Sequence, residues 1–269
     1  MSRVASWVPE SVDISRPSAA RMYDYLLGGG HNFDADRRLA ARVSGAHPGC
    51  WNIARLNRAF LRRAVLELNQ AGVRQFLDIG SGIPTVGNVH EIAQQADPEA
   101  RVVYVDHDPV AVAHCRLILE DNPRADVVRA DLRDPDSILA SPTTRRLLDF
   151  DQPVGLLMVC VAHFVAPDDD PAGLLARFHE LLAPGSYLAL SHLTADSGIA
   201  EMAALVKVMQ GSKEPIHPRS KAQITELFSG FELVEPGVVG IAEWRPSSPD
   251  DGGDVPERDQ VLAGMGVKP

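Results

Sequence analysis

The sequence predicts an α/β protein with a doubly wound, mostly parallel sheet. Residues 154–161 form a near-continuous apolar run of strand length, as expected for a strand that is covered on both faces. From residue 73 onwards, short apolar runs alternate with stretches in which apolar residues recur at three and four positions. This alternation is typical of parallel strands joined by helices that cover both faces of a sheet.

Residues 1–72 read as helical. Ser15 and Pro17 predict the start of a first helix, the glycines at 28–30 predict its end, and Asp34 is a candidate cap for a second helix. In the third and clearest helix, apolar residues recur at three and four positions across residues 53–68, and a glycine follows at 72. We expect residues 1–60 to form a helical lid on an α/β domain of residues 61–269.

The remaining segments follow from the change of period after residue 72. Predicted strands cover residues 73–79, 101–105, 126–129, 154–161, 186–191, 231–239 and 260–267, and predicted helices cover residues 86–96, 108–119, 174–182, 198–209 and 222–228. Residues 245–259 are rich in Pro, Ser, Asp and Gly, which predicts a loop. The two terminal strands on either side of this loop are expected to pair in antiparallel fashion at one side of the sheet.

Composition excludes several function classes. The 269 residues carry a formal net charge of −10, which argues against a partner that is a nucleic acid or an anionic membrane surface. The three cysteines are far apart and form no CxxC pair, so neither a disulfide framework nor a metal site is expected, and a reducing cytoplasm fits best. The longest apolar run falls short of the ~20 residues that span a bilayer.

The central motif is FLDIGSGIP at residues 76–84, where a strand runs into a glycine turn. Gly80 and Gly82, with Ser81 between them, allow a sharp turn and a close approach to a ligand, and we expect a helix N-terminus to follow. A dinucleotide fingerprint would place a third glycine where Thr85 stands. Asp78 precedes the first glycine by two residues and suits a cationic or zwitterionic ligand more than a pyrophosphate. Taken alone, the motif also fits a tight turn that binds no ligand.

Two further acidic residues follow the next two strands. Asp106 ends the second strand, about 20 residues beyond the glycines, at the position that binds ribose hydroxyls in such folds. The adjacent His107 belongs to the same predicted site, whereas Asp108 precedes a proline and is expected to cap the next helix. Asp131, followed by Leu132, lies just past the third strand, where an adenine amino group is expected. Its alternative role is to cap the helix that starts near residue 134.

These segments resemble motifs one to three of class I S-adenosylmethionine-dependent methyltransferases. More narrowly, ARMYDYLLGG at 20–29, NRAFL at 57–61, QFLDIGSGIPT at 75–85 and NVHE at 88–91 are similar to a bacterial group of S-adenosyl methyltransferase-like proteins formerly classed as a domain of unknown function. The resemblance implies a Rossmann-like sheet of seven strands with the last one antiparallel, and S-adenosylmethionine as cofactor. Pro84 stands where the wider class often has a third glycine.

The residues after the fourth strand, which read CVAHF at 160–164, indicate the kind of methyl acceptor. This is not the Asn/Asp-Pro-Pro-Tyr run of amino-directed DNA methyltransferases, so a small molecule is the expected acceptor. His163 is the candidate base or orienting group, with a purely structural hydrogen bond as the alternative. His192 is interpreted as structural. Tyr25 and Arg58 are candidate cofactor contacts.

Four other N-terminal residues, Tyr23, His31, Asn32 and Asn57, are also candidates for the region around the cofactor. Packing in the core is the alternative for one of the two tyrosines, and a solvated helix face is the alternative for Arg58. The sequence thus predicts methyl transfer to an oxygen or nitrogen atom of a small molecule. Two other functions stay open: a nicotinamide-dependent oxidoreductase, and a catalytically silent protein that binds S-adenosylmethionine as a sensor.

Overall fold

The computed structural model of the chain describes residues 13–84, 87–247 and 255–269. Several predicted features lie outside these residues: the first 12 positions of the helical segment, Thr85 and Val86 after the glycine turn, and residues 248–254 of the loop before the last strand. Among the residues described, no helix has the length and apolar content needed to cross a bilayer.

From residue 13 onwards three helices precede the sheet, as predicted: α1 (Ala19–Leu26), α2 (Asp34–Ala46) and α3 (Cys50–Gln70). The structure corrects the predicted starts of α1 and α2. Ser18 caps α1, and Asp34 is the first residue of α2 instead of its cap, because the carboxylate of Asp36 accepts a hydrogen bond from the Phe33 N–H at 2.8 Å. Helix α3 runs through residue 60 without a break, so the expected boundary between lid and domain falls inside one helix.

The sheet is formed by β1 (Gln75–Ile79), β2 (Arg101–Asp106), β3 (Ala125–Arg129), β4 (Gly155–Val159), β5 (Tyr187–Leu193), β6 (Glu232–Leu233), β7 (Val239–Gly240) and β8 (Val261–Val267). The first five strands are parallel and lie in the order β3-β2-β1-β4-β5, and β8 pairs antiparallel with β5. The α/β prediction with an antiparallel last strand is confirmed.

Within the described residues the sheet has eight strands instead of the predicted seven, because the predicted strand 231–239 is divided. Both β6 and β7 are two residues long, and both pair with β8. Between them lies Pro236, which has no N–H to donate to a ladder, followed by Gly237, whose N–H donates to the Val234 carbonyl at 2.8 Å. A turn therefore replaces the middle of the expected strand.

The other helices are α4 (Val89–Ala96), α5 (Pro109–Ile118), α6 (Pro135–Ala140), α7 (Pro142–Leu147), α8 (Pro171–Leu181), α9 (Ile199–Gln210) and α10 (Lys221–Glu226). Side chains on a strand alternate between the faces of the sheet. Phe76 of β1 joins the core with α3, α4, α5 and α9, whereas Leu77 joins the core with α6, α7, α8 and α10. By the same alternation, Asp78 belongs to the face covered by the N-terminal helices.

Candidate functional site

A cavity of about 460 Å³ lies at the carboxyl ends of β1, β2 and β4, between the sheet and helices α1, α3 and α9. Ligand pockets typically measure about 300–1,000 Å³ and occur at this edge of open α/β sheets. Ten of the eleven residues assigned from the sequence to catalysis or to direct cofactor contact line it: Arg58, Asp78, Gly80, Ser81, Gly82, Asp106, His107, Asp131, Leu132 and His163. The structure thus brings residues from four strand ends and one helix to a single space.

Tyr25 is the exception, because it does not line the cavity. Its ring packs edge-on against Trp51, with ring centroids 5.5 Å apart. Tyr23 lines the cavity instead, and its hydroxyl donates to the Ala54 carbonyl at 3.1 Å. Side chains two positions apart on a helix point in directions that differ by about 200°, so only one of the two tyrosines can face the cavity.

His31 and Asn32 also do not line the cavity. The backbone N–H of His31 and the side-chain amide of Asn32 both donate to the Asp24 carboxylate at 2.9 Å. These two residues therefore fold the segment after the glycines back onto α1.

The glycine loop is held in place before any ligand binds. The N–H groups of Gly80 and Ser81 donate to the Val105 carbonyl at 2.8 and 3.1 Å, and the N–H of Gly82 donates to Asp106 Oδ2 at 2.8 Å. Both glycines have positive φ angles, 69° and 67°. A Cβ at Gly80 would lie 2.1 Å from Val161, whereas a Cβ at Gly82 would meet no atom of the described residues within 4 Å. The loop is therefore tight against the sheet at Gly80 and open at Gly82.

The expected helix does not follow the glycines directly. Helix α4 begins at Val89, and its predicted residue Val86 lies outside the described residues. The first turn is already capped, because Glu91 accepts from the Asn88 N–H at 2.8 Å. Arg58 on α3 donates to the Gly87 carbonyl at 2.7 Å, which ties this segment to the helix above the cavity.

Asp78 is a buried carboxylate that makes no hydrogen bond with the described part of the chain, and its residue is 5% exposed. Burial raises the pKa of this carboxyl to about 7; the positive charge of Arg58 opposes the rise and the negative charge of Asp106 adds to it. A buried charge without a hydrogen-bonding partner is unfavourable, so this site favours a cationic ligand.

Asp106 is held by two backbone N–H groups. Its Oδ1 accepts from Asp108 and its Oδ2 accepts from Gly82, both at 2.8 Å, and each oxygen retains a lone pair for a further donor. Burial raises the pKa of the Asp106 carboxyl. The predicted role of Asp108 as a cap is confirmed, since its Oδ1 accepts from the N–H groups of Val110 and Ala111.

Asp131 does not cap a helix: its Oδ1 accepts a hydrogen bond from the Arg133 backbone N–H at 2.9 Å, but α6 begins only at Pro135. Asp131 also forms an ion pair with Arg133, whose Nε lies 2.9 Å from Oδ1, and this contact lowers the pKa of the Asp131 carboxyl. The next helix is capped by Asp134, whose side chain accepts from the Ser137 N–H at 3.0 Å. The alternative of Asp131 as a cap is therefore wrong.

A set of contacts that sequence reasoning missed joins α1 to the segments that follow β2 and α9. The buried guanidinium of Arg21 lies 3.0 Å from Asp36 and 3.1 Å from Asp108. Glu214 accepts from the Ala19 N–H and lies 2.7 Å from His107 Nε2, and this hydrogen bond raises the pKa of His107 to about 9. Arg21 and Asp108 are 87 positions apart, and Ala19 and Glu214 are 195 apart, so no local pattern could reveal these pairs.

His163 lies in a short 3₁₀ turn (Ala162–Phe164) after β4. Burial lowers the pKa of its imidazole well below the usual value, and neighbouring His192 and Arg219 lower it further. Arg219 donates to the carbonyls of Ala162 and Val165 at 3.0 and 2.8 Å, which fixes the turn. The imidazole of His163 is therefore neutral at pH 7 and held in place at the cavity wall.

His192 is structural, as interpreted from the sequence. Arg219 Nη1 lies 2.7 Å from His192 Nε2, and His192 Nδ1 lies 2.7 Å from the Leu193 carbonyl. Because arginine can only donate, Nε2 is the acceptor and Nδ1 carries the proton. Nothing in the described chain forms a group of three potential metal ligands, and Asp170, from the acidic run 168–170, caps α8 by accepting from the Gly173 N–H at 3.0 Å.

Comparisons with known proteins agree with this geometry. A family model described as S-adenosyl methyltransferase matches residues 5–269. Among solved structures, the chain is similar to a putative methyltransferase from Thermobifida fusca YX at 42% identity and a TM-score of 0.93, over 98% of this chain and 99% of that one. It is also similar to a DUF574 family protein from Streptomyces avermitilis MA-4680 at 40% identity and a TM-score of 0.92, over 96% and 99% of the two chains.

A more distant similarity shows the fold alone. The N-methyltransferase NodS from Bradyrhizobium japonicum WM9, in complex with S-adenosyl-L-homocysteine, is 14% identical with a TM-score of 0.53, over 93% of this chain and 99% of that one. The comparison with curated proteins found no match.

Proposed function

Because the chain belongs to the S-adenosyl methyltransferase family, we propose that it transfers the methyl group of S-adenosylmethionine to an oxygen or nitrogen atom of a small molecule. The family uses this cofactor and carries out methyl transfer. The observation that supports the site is the convergence of Asp78, the Gly80–Gly82 turn and Asp106 on one cavity. The following assignments of residues to parts of the cofactor are our proposals.

The residues of the cavity fit the cofactor chemically. The unpaired carboxylate of Asp78 suits the amino group of its methionine part, and the lone pairs of Asp106 suit the two ribose hydroxyls. The open space in front of Gly82 leaves room for the cofactor close to the backbone. Asp131 and Leu132, which line the cavity just past β3, are proposed to border the adenine.

The cofactor supplies a methyl group on a positively charged sulfur, which makes that carbon electrophilic. The protein has to hold the acceptor atom in line with it, and positioning of this kind contributes up to about 7–11 kcal/mol to a reaction between two bound partners. The neutral imidazole of His163 can accept a hydrogen bond from the acceptor's O–H or N–H and orient its lone pair. His163 is thus proposed as an orienting group that also receives the released proton.

The N-terminal helices are proposed to act as a lid over both ligands. Helices α1 and α3 contribute lining residues, and the buried contacts of Arg21 and Glu214 hold α1 against the loops that follow β2 and α9. Residues within 13–60 that line the cavity would then exclude water from the reacting groups, which strengthens the electrostatic contacts there.

Calorimetric titration with S-adenosylmethionine and S-adenosylhomocysteine tests this function. We expect both to bind the wild-type protein, and we expect Asp106→Ala to weaken binding more than tenfold, because hydrogen bonds to a charged group contribute about 1.5–3 kcal/mol each. Asp121→Ala, an exposed carboxylate outside the cavity, is the matched control. Binding of NAD in preference to S-adenosylhomocysteine would instead support the oxidoreductase alternative.

A further inference from the structure

We propose that the methyl acceptor is an uncharged, largely hydrophobic molecule that carries a hydroxyl group. This inference rests on the proposed function, since it concerns the acceptor in the same cavity. It follows from the contrast between the two ends of that cavity. The acidic groups Asp106 and Asp131 lie at the ends of β2 and β3, whereas α9 follows β5, which is three positions away from β2 in the sheet.

The wall formed by the helices is apolar. The lining residues that show this come from four helices: Met22 and Leu26 (α1), Val43 (α2), Ile53 (α3), Leu205 and Met209 (α9). Each of the six side chains is at most 9% exposed, and all belong to one hydrophobic cluster. An apolar ligand placed against this wall gains by leaving water, in proportion to the apolar area that it buries.

Charged side chains are almost absent from this wall. Of the described residues of α1, α2, α3 and α9 that line the cavity, Arg58 is the charged one, and it donates to the Gly87 carbonyl beside the glycine loop. Lys213 and Glu214 line the cavity from the loop after α9, and Glu214 contacts His107 on the β2 side. A charged acceptor would lose its hydration against the apolar wall without meeting a partner there.

The polar groups of the wall already satisfy one another. The Tyr23 hydroxyl donates to the Ala54 carbonyl at 3.1 Å and accepts from Asn57 Nδ2 at 3.0 Å, and Asn57 Oδ1 accepts from Ser191 Oγ at 2.6 Å. Burial raises the pKa of Tyr23, so its hydroxyl stays protonated and does not act as a base. This network offers little to a polar acceptor.

His163 provides the polar contact for the reacting group. It lines the cavity after β4, with Phe164 beside it at a ring-centroid distance of 4.4 Å. A neutral imidazole accepts a hydrogen bond from a hydroxyl and cannot pair with a carboxylate as a cation would. In the transfer, the hydroxyl oxygen forms a bond to the methyl carbon while the carbon–sulfur bond breaks, and sulfur keeps that electron pair. The hydroxyl proton passes to the imidazole of His163 and then to solvent.

A matched pair of probes tests this inference. Para-butylphenol and para-hydroxyphenylpropionate share a phenol ring and have side chains of similar length, but the second ends in a carboxylate. Both are titrated into the full chain with S-adenosylhomocysteine already bound. We expect para-butylphenol to bind at least tenfold more tightly. Equal affinity, tighter binding of the carboxylate, or no binding of para-butylphenol at millimolar concentration would overturn the inference.

Variants at the apolar wall locate the binding. Leu205 lines the cavity and is 7% exposed, so Leu205→Phe narrows the cavity and Leu205→Glu places a charge in it. Each variant is expected to weaken the binding of para-butylphenol at least tenfold and to change the affinity for S-adenosylhomocysteine less than twofold. The control variant Leu233→Glu, at an exposed leucine of β6, is expected to change neither affinity. If Leu205→Glu does not fold, Leu205→Phe decides, and undiminished para-butylphenol binding to it contradicts the inference.

The two proposals fail in different ways. Loss of the acceptor preference with S-adenosylhomocysteine still bound overturns only the acceptor class. Failure of the wild-type protein to bind S-adenosylhomocysteine overturns the proposed function, and the acceptor inference with it.

Discussion

Replacement of Asp78 by asparagine should stabilise the ligand-free protein and weaken cofactor binding at the same time. In the folded protein, burial raises the pKa of Asp78 from 3.8 to about 7. Between these two values the folded state binds more protons at this site than the unfolded chain does, so stability falls as the pH rises through this window and then levels off above pH 7. One unit of pKa corresponds to about 1.36 kcal/mol, so at pH 8 the ionised carboxylate destabilises the fold by up to about 4 kcal/mol.

Asp78→Asn removes this charge at constant size. Urea unfolding without ligand at pH 8 should show a gain of up to about 4 kcal/mol, and the difference from wild type should shrink towards pH 4. S-adenosylhomocysteine should bind more than tenfold more weakly to the variant, because its amino group loses a charged partner. Wild-type affinity should also fall as the pH is lowered through 7, whereas the variant should not show this dependence. Asp121→Asn is the control. Lower stability of Asp78→Asn at pH 8, with unchanged cofactor affinity, would refute this reasoning.

Three further predictions concern the glycine loop, helix α1 and the end of β4. Gly80→Ala should lower the free energy of unfolding by about 2 kcal/mol or more, because the new Cβ would lie 2.1 Å from Val161 and the φ angle is positive. Gly82→Ala should lower it by only about 1–2 kcal/mol and should mainly reduce cofactor affinity. Equal effects of the two variants on unfolding would contradict the loop geometry. Arg21→Met should destabilise the protein by about 3–5 kcal/mol, since it leaves two buried carboxylates without their cation, and a change below 1 kcal/mol in urea unfolding would argue against this contact. Cys160 should react with iodoacetamide at pH 8 roughly a thousandfold more slowly than a free thiol, because burial raises the pKa of its thiol to about 12. The rate of labelling is followed by mass spectrometry, and labelling as fast as that of a free thiol would contradict the raised pKa.

The features that the sequence predicted well are those with local signals. The glycine turn, the acidic residue that ends β2 and the proline after Asp108 each follow from neighbours in the chain, and parallel strands then bring such residues to one edge. The same reasoning left open whether Asp131 contacts an adenine or caps the next helix, and it did not predict the ion pair with Arg133. It also placed the start of α4 too early, next to the glycines.

Other features depend on contacts between distant segments and have no local signal. Which tyrosine of α1 faces the cavity depends on how that helix packs on α3, so the choice between Tyr23 and Tyr25 could not be made from their spacing alone. The ion pairs of Arg21 arise only after the chain has folded, and so does the low pKa of His163, which depends first on burial and then on His192 and Arg219. The apolar wall of the cavity is likewise built from four separate helices.

A crystal structure of the protein with S-adenosylhomocysteine tests the central claim most directly. The account predicts that the cofactor product lies over Gly82, with its ribose hydroxyls within hydrogen-bonding distance of Asp106 and its amino group next to Asp78. A bound molecule in another place, or one whose ribose makes no contact with Asp106, would contradict it.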